Sequence, residues 1–163
     1  MEPIQSNKIY PIGIQNFEKM RKGGYFYVDK TALVYRLVKT GSYYFLSRPR
    51  RFGKSLLIST LEAYFQGKKE LFEGLAMEKL EKDWIKRPVL HIDLNIGKYD
   101  TPDSLDKQLE KAVTEWEQLY GTGMAESTLA LRFAGVVRRA CEQTGQRVAI
   151  LIDEYDKHML QAI

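Results

Sequence analysis

The sequence has few of the residues that mark secreted, metal-binding or membrane proteins. Its single cysteine, Cys141, excludes an internal disulfide, and its place in a helical pattern predicts a small buried side chain. Neither of its two histidines, His91 and His158, has a set of further metal ligands around it. No run approaches the roughly 20 apolar residues of a membrane span. Residues 1–12 contain no apolar signal-peptide core, so we expect a cytoplasmic protein that makes no membrane contact.

The sequence also has little excess charge. Its net charge of +4 is too small to argue for nucleic-acid binding by itself. The local cluster of Arg48, Arg50, Arg51 and Lys54 is more informative, because it concentrates positive charge where an anion would bind. The 163 residues suffice for one domain with a hydrophobic core.

The basic cluster lies in a stretch with the order strand, loop and helix. Residues 43–46 are apolar and predict a buried strand, and the basic loop after them ends in Gly53, Lys54 and Ser55. A helical pattern follows, with apolar residues at Leu56, Leu57, Leu61, Tyr64 and Phe65. This order is typical of a phosphate-binding P-loop. The alternative is a basic turn that enters a surface helix.

The chemistry of phosphate binding explains these residue types. Backbone N–H groups and the positive end of the helix surround a phosphate, and Gly53 lets the backbone approach it. Lys54 would reach the β- and γ-phosphates, and the Ser55 hydroxyl would hold Mg²⁺. The common motif has glycine where this chain has Arg48. The predicted nucleotide contacts are Arg50, Arg51, Phe52, Gly53, Lys54, Ser55 and Leu56, of which Arg50 and Arg51 could equally face outward.

A second motif lies about a hundred residues further on. Residues 148–152 are apolar and predict a fully buried strand, which ends in Asp153 and Glu154. In P-loop enzymes such an aspartate holds the Mg²⁺ shell, and a following glutamate can polarise the attacking water. The alternative is an ordinary buried strand that ends in solvated acids. The two motifs together, in this order, favour a nucleotide site with Mg²⁺ at Ser55 and Asp153.

Three segments resemble the AAA-ATPase-like family of bacterial proteins. They are Tyr27-Val-Asp-Lys-Thr31, Arg48-Pro-Arg-Arg-Phe-Gly-Lys-Ser55 and Leu151-Ile-Asp-Glu-Tyr-Asp-Lys157. The resemblance implies an ATP-binding amino-terminal half, often followed by a restriction-endonuclease-like nuclease domain. It also implies ATP and Mg²⁺ as ligands. Arg48 then departs from the common P-loop motif but not from the family's sequence. The carried-over roles are phosphate and Mg²⁺ contact for Gly53, Lys54 and Ser55, and the acidic pair for Asp153 and Glu154.

The order of elements predicts an α/β fold. It is a P-loop NTPase-like three-layer core with a mostly parallel sheet, in one domain spanning residues 1–163. In AAA-type relatives two more strands, an arginine finger and a helical lid follow the acidic strand. We therefore expect an incomplete sheet, with a central strand missing and unpaired edges that favour homo-oligomers. We also expect weak or absent hydrolysis.

Other parts of the sequence have structural interpretations. Asp29 is a plausible N-cap for a helix over residues 30–39, and a base-binding role for residues 27–31 is the alternative. His91 and Asp93 share one face of a strand predicted over residues 88–94, where a structural role is favoured over a metal pair. Further helices are predicted from Thr101 to Gly121 and from Ser127 to about Glu142.

Two functions from different classes remain open. The first is the ATP-binding core of an AAA-like ATPase, with Lys54 and Glu154 as its catalytic residues. The second is a nucleic-acid-binding module that uses the basic loop from Arg48 to Lys54 without nucleotide turnover. Association of the family with nuclease domains supports a nucleic-acid partner. Salt dependence separates the two, because binding through several phosphates weakens steeply as salt rises.

Overall fold

The computed structural model describes residues 9–47, 53–94 and 103–155, with only the backbone of Asp103. The chain divides into two compact units, Met1–Ile85 and Lys86–Ile163. The first unit contains the predicted P-loop helix, and the second contains the predicted acidic strand. Each unit has its own buried core, and each is described by itself below.

Helices are the only regular secondary structure in the described residues of the first unit. Its elements are α1 (Phe17–Lys22), α2 (Thr31–Thr40), α3 (Lys54–Phe65), a 3₁₀ turn (Lys69–Phe72) and α4 (Ala76–Leu80). The fully buried side chains of Phe17, Phe72 and Met77 form its centre. The Phe17 and Phe72 rings lie 4.9 Å apart, and the Trp84 ring lies 5.1 Å from Phe72. Aromatic packing between short helices therefore holds this unit together.

The buried strand predicted over residues 43–46 is wrong. These residues belong to no described strand, and Tyr43 and Phe45 are largely exposed. The Tyr44 hydroxyl instead donates to the carbonyl of Leu37, which holds this segment against the end of α2. An apolar run becomes a strand only when another strand satisfies its backbone hydrogen bonds. No strand is assigned to the described residues of the first unit, so this run stays outside any sheet.

The second unit is a helical crossover between two parallel strands. Its elements are β1 (Val89–Asp93), α5 (Asp103–Tyr120), α6 (Leu129–Thr144) and β2 (Ala149–Asp153). The strands pair in parallel from Val89 opposite Ala149 to Asp93 opposite Asp153. The helices and strands predicted from periodicity in this half are confirmed to within a few residues. Parallel pairing brings the carboxyl ends of both strands to one edge, where Asp93 and Asp153 are neighbours.

The core of this unit lies between the helices and the sheet. Leu90, Ile92 and Leu94 pack with residues of α5 and α6, among them Trp116 and Val136. The prediction of a fully buried β2 is wrong, because Ile150 and Ile152 are each nearly half exposed. The pairing register puts them on the same side of the sheet as Leu90 and Ile92. The helix α5 packs against β1, so the cover of this face extends over β2 only in part.

These observations establish a mixed helix and strand fold with a small parallel sheet of two strands in the described residues. No helix in the described ranges is long and apolar enough to cross a membrane.

Candidate functional site

The helix predicted to bind phosphate begins where the sequence places it. Gly53 is the residue before α3 and has a left-handed backbone, with φ of +77°. Among the described residues, an added Cβ would meet no other group within 4 Å, and the left-handed backbone conformation by itself favours glycine here. The carbonyl of Gly53 accepts the N–H of Leu57 at 3.0 Å and starts the helical hydrogen bonds. The turn therefore delivers Lys54 and Ser55 as the first two helical residues.

The first turn of α3 suits an anion. Its N–H groups point out of the helix end without intrahelical acceptors, and the helix dipole makes this end positive. The turn contains no acidic residue, and Lys54, Ser55 and Leu56 are half-buried. The predicted contacts Arg50, Arg51 and Phe52 lie outside the described residues, as does Arg48.

The middle of α3 is fixed by two hydroxyl side chains. Ser59 Oγ accepts the backbone N–H of Phe17 at 2.9 Å, which joins α3 to the start of α1. The buried Thr60 hydroxyl donates to the Leu56 carbonyl at 2.7 Å and also interacts with the Tyr27 hydroxyl. Burial raises the pKa of Tyr27 despite this interaction. The helix that begins with Lys54 is therefore attached to two other segments of its unit.

The segment Tyr27-Val-Asp-Lys-Thr31 continues these attachments. Asp29 Oδ1 accepts the backbone N–H and the hydroxyl of Thr31, and Oδ2 accepts the N–H of Ala76 at 2.7 Å. The Thr31 hydroxyl in turn accepts the N–H of Met77 at 3.0 Å. Burial alone would raise the pKa of Asp29, but these hydrogen bonds and the charge of Arg21 lower it. The helix begins at Thr31, one residue later than predicted, and Lys30 is its capping position. Asp29 therefore supports the helix start from the position before the cap.

The acidic pair at the end of β2 consists of one buried and one strained residue. Asp153 is 7% exposed, and its Oδ1 accepts the N–H of Glu154 at 2.9 Å. Glu154 has a left-handed backbone with φ of +57°, which is uncommon outside glycine. The carbonyl of Asp153 also accepts the N–H of Leu94, so the strand pairing extends to this point. The backbone thus leaves the strand conformation at Glu154, directly after the carboxylate predicted to hold Mg²⁺.

The remaining candidate ligands form no metal cluster in the parts of the chain that the structure describes. His91 and Asp93 alternate with the buried residues of β1, as predicted. Cys141 is exposed on α6, although a buried position was predicted. The buried residues Val136 and Ala140 lie on the core-facing side of α6. Cys141 comes one position after Ala140 and therefore lies off that side. His158 lies outside the described residues.

A family model described as "Predicted AAA-ATPase" matches residues 11–163. The chain belongs to the AAA-ATPase-like family. An uncharacterised protein encoded in the vnfD 5′ region of Azotobacter chroococcum mcd 1 is 43% identical over 157 residues. The alignment covers 95% of this AAA-ATPase-like chain and 30% of that relative, so the chain spans less than a third of the relative's length. No solved structure matches the chain.

Sequence reasoning missed Ser59 and Thr60 as supports of the candidate site in this AAA-ATPase-like protein. A signal was present in the sequence. Serine and threonine are neutral to unfavourable in helix interiors, and two of them stand together among the apolar residues of α3. Their partners could not be predicted, because Phe17 and Tyr27 lie far away along the chain.

Proposed function

We propose that this AAA-ATPase-like chain binds a magnesium–nucleoside triphosphate, with ATP as the ligand, at the amino-terminal end of α3. The observation that carries the proposal is the left-handed Gly53, which leads directly into a helix that begins with Lys54 and Ser55. Membership of a family described as predicted AAA-ATPases supports ATP as the ligand. The P-loop three-layer core and the single-domain organisation belong to the same proposal.

Each candidate residue receives a role from its motif. The N–H groups of the first turn of α3 and the ammonium of Lys54 bind the phosphates. The Ser55 hydroxyl and the Asp153 carboxylate hold Mg²⁺, and oxygen ligands of this kind are the ones that Mg²⁺ prefers. Glu154 polarises water for attack on the γ-phosphate. Arg50, Arg51, Phe52 and Leu56 complete the proposed contacts to the nucleotide.

Turnover by this chain alone is proposed to be slow. Phosphoryl transfer needs positive charge at the γ-phosphate in the transition state, and an arginine finger commonly supplies it. None of the roles proposed above is that of an arginine finger. We therefore propose nucleotide binding as the function of this chain. A nuclease domain that acts on nucleic acid and assembly into homo-oligomers are proposed for the whole protein.

Calorimetric titration with a non-hydrolysable ATP analogue tests this function. We expect Mg²⁺-dependent binding by the wild-type chain and loss of that binding in Lys54→Ala. Lys79→Ala is the matched control, because Lys79 is exposed on α4 of the same unit. The control should bind like the wild type. Absence of heat from the folded wild-type protein, with and without Mg²⁺, would overturn the proposal.

A further variant, Arg50→Ala, separates ATP binding from the nucleic-acid alternative when it is compared with Lys54→Ala. A module that binds nucleic acid through the basic loop should respond to Arg50→Ala at least as strongly as to Lys54→Ala. Its affinity for single-stranded DNA should also fall steeply with rising salt. Nucleotide binding should instead depend on Mg²⁺ and on Lys54 much more than on Arg50.

A further inference from the structure

Helix α3 is attached to the rest of its unit on the turn that follows its proposed phosphate-binding end. Ser59 lies four residues after Ser55, and therefore one helical turn further along the same face. Its Oγ accepts the N–H of Phe17 at 2.9 Å and lies 3.0 Å from the Leu56 carbonyl, to which it donates. One hydroxyl thus links a residue of the first turn of α3 to the first residue of α1.

The bond from Phe17 satisfies a donor that α1 cannot satisfy itself. The first N–H groups of any helix have no intrahelical acceptor, and Phe17 is the first residue of α1. The side chain of the same residue is fully buried, with the Tyr27 ring 5.3 Å and the Phe72 ring 4.9 Å away. Movement of α3 along its axis would therefore leave a backbone donor unpaired beside a packed aromatic cluster.

The neighbouring Thr60 extends this attachment to the family-like segment. Its hydroxyl is buried, donates to the Leu56 carbonyl and interacts with Tyr27. Two and four residues after Tyr27, Asp29 and Thr31 accept N–H groups from the start of α4. The side chains of Asp29 and Thr31 are engaged inside the unit, and these contacts favour the structural interpretation of residues 27–31 over base binding.

We propose that Ser59 is a positioning residue for the nucleotide site, so that nucleotide at the start of α3 and docking of α1 on α3 stabilise each other. The inference rests on the proposed function. Phosphate binding by backbone N–H groups needs those groups held to within roughly half an ångström. A contact that fixes the first two turns of α3 therefore raises nucleotide affinity. By thermodynamic reciprocity, bound nucleotide strengthens that contact by the same factor.

The test combines amide hydrogen exchange with nucleotide titration. The exchange of the Phe17 amide is measured by NMR in the wild-type chain, without and with a saturating non-hydrolysable ATP analogue and Mg²⁺. Kd is then measured for the wild type, Ser59→Ala and Ser59→Thr. Thr128→Ala is the matched control, since it removes a hydroxyl that accepts the N–H of Leu131 at the start of α6 in the other unit.

We expect nucleotide to slow exchange at Phe17 about fivefold or more, and Ser59→Ala to raise Kd by a similar factor. Ser59→Thr keeps the accepting oxygen and should restore affinity, and Thr128→Ala should leave Kd unchanged. Nucleotide binding with unchanged exchange at Phe17 would overturn the positioning role and leave the proposed function standing. Failure of the wild-type chain to bind nucleotide at all would overturn both.

Discussion

Asp29 and Ala76 lie 47 residues apart in the sequence and are joined by a hydrogen bond of 2.7 Å from the Ala76 N–H to Asp29 Oδ2. The second carboxylate oxygen accepts the N–H and the hydroxyl of Thr31 at the start of α2. One side chain thus satisfies backbone donors at the start of two helices. This is the clearest physical reason for the aspartate in the family-like segment.

Replacement of Asp29 should destabilise the first unit. Loss of a helix-capping side chain costs about 0.5–2 kcal/mol, and we expect Asp29→Ala to fall in this range in urea unfolding. Asp29→Asn should also lower the free energy of unfolding, because an amide can keep one accepting oxygen but turns a donor toward either Thr31 or Ala76. Asp83→Asn is the control, since Asp83 is an exposed carboxylate of the same unit. Equal stability of Asp29→Ala and wild type would show that the two caps are dispensable.

A buried carboxylate should make the stability of the first unit depend on pH in the acid range. Glu81 is 4% exposed and accepts hydrogen bonds from the Tyr64 hydroxyl and the N–H groups of Lys82 and Asp83. The ammonium of Lys39 lies 2.9 Å from it. Burial alone would raise the pKa of Glu81, but these donors and the Lys39 charge lower it to about 2. The charged form is therefore favoured in the folded protein.

A lowered pKa fixes the direction of the pH effect. The unfolded chain takes up a proton near the ordinary glutamate pKa of about 4.3, whereas folded Glu81 does so near 2. Its contribution is complete above about pH 4.5 and is lost as the pH falls toward 2. Glu81→Gln should lower the free energy of unfolding by about 1–3 kcal/mol at pH 7 and by less at pH 3. Glu73→Gln, a change at an exposed glutamate of the same unit, is the matched control. A pH-independent cost of Glu81→Gln would contradict this account.

In the second unit, Gly135 and Glu126 should show strong non-additivity. An added Cβ at Gly135 of α6 would overlap the Glu126 carboxylate. That carboxylate is held by two hydrogen bonds from Arg139 and accepts the N–H of Gly123. The hydrogen bonds from Arg139, together with its charge, lower the pKa of Glu126, so the pair is ionised at neutral pH. Glycine in the middle of this helix therefore leaves room for the ion pair.

The sign of the Gly135→Ala effect should depend on Glu126. Alanine is intrinsically better than glycine in a helix by about 1 kcal/mol. With Glu126 present, we expect Gly135→Ala to lower stability, because it displaces the carboxylate from Arg139. In a Glu126→Ala background the same change should raise stability. A double-mutant cycle in urea measures both values, and the same sign in both backgrounds would refute the steric explanation.

The sequence predicted the elements whose signals are local. The apolar periodicity of residues 105–119 and 129–140 predicted α5 and α6, and the alternation around His91 predicted β1. The strand predicted over residues 43–46 was wrong, because an apolar run contains no information about which strand will pair with it. Here the Tyr44 hydroxyl donates to the Leu37 carbonyl instead. The support of α3 by Phe17 through Ser59 could not be predicted, since it depends on packing between residues 42 positions apart.

The proposed magnesium contact can be tested without disturbing the end of β2. Asp153 Oδ1 accepts the N–H of Glu154, and the amide oxygen of asparagine can accept the same bond. Asp153→Asn should therefore keep the turn and the stability while it removes the negative charge that Mg²⁺ prefers. Asp153→Ala removes both the hydrogen bond to Glu154 and the negative charge, and it should therefore also destabilise the second unit.

We expect Asp153→Asn to weaken Mg²⁺-dependent binding of a non-hydrolysable ATP analogue about tenfold or more. Binding without Mg²⁺ should stay close to that of the wild type, because Lys54 and the N–H groups of α3 bind the phosphates directly. Asp106→Asn, an exposed change on α5, is the control in the same unit. Calorimetry at several Mg²⁺ concentrations separates the two contributions. If Asp153→Asn lowered affinity equally with and without Mg²⁺, the carboxylate would be acting on the nucleotide or on the fold, and its assignment to the metal would be wrong.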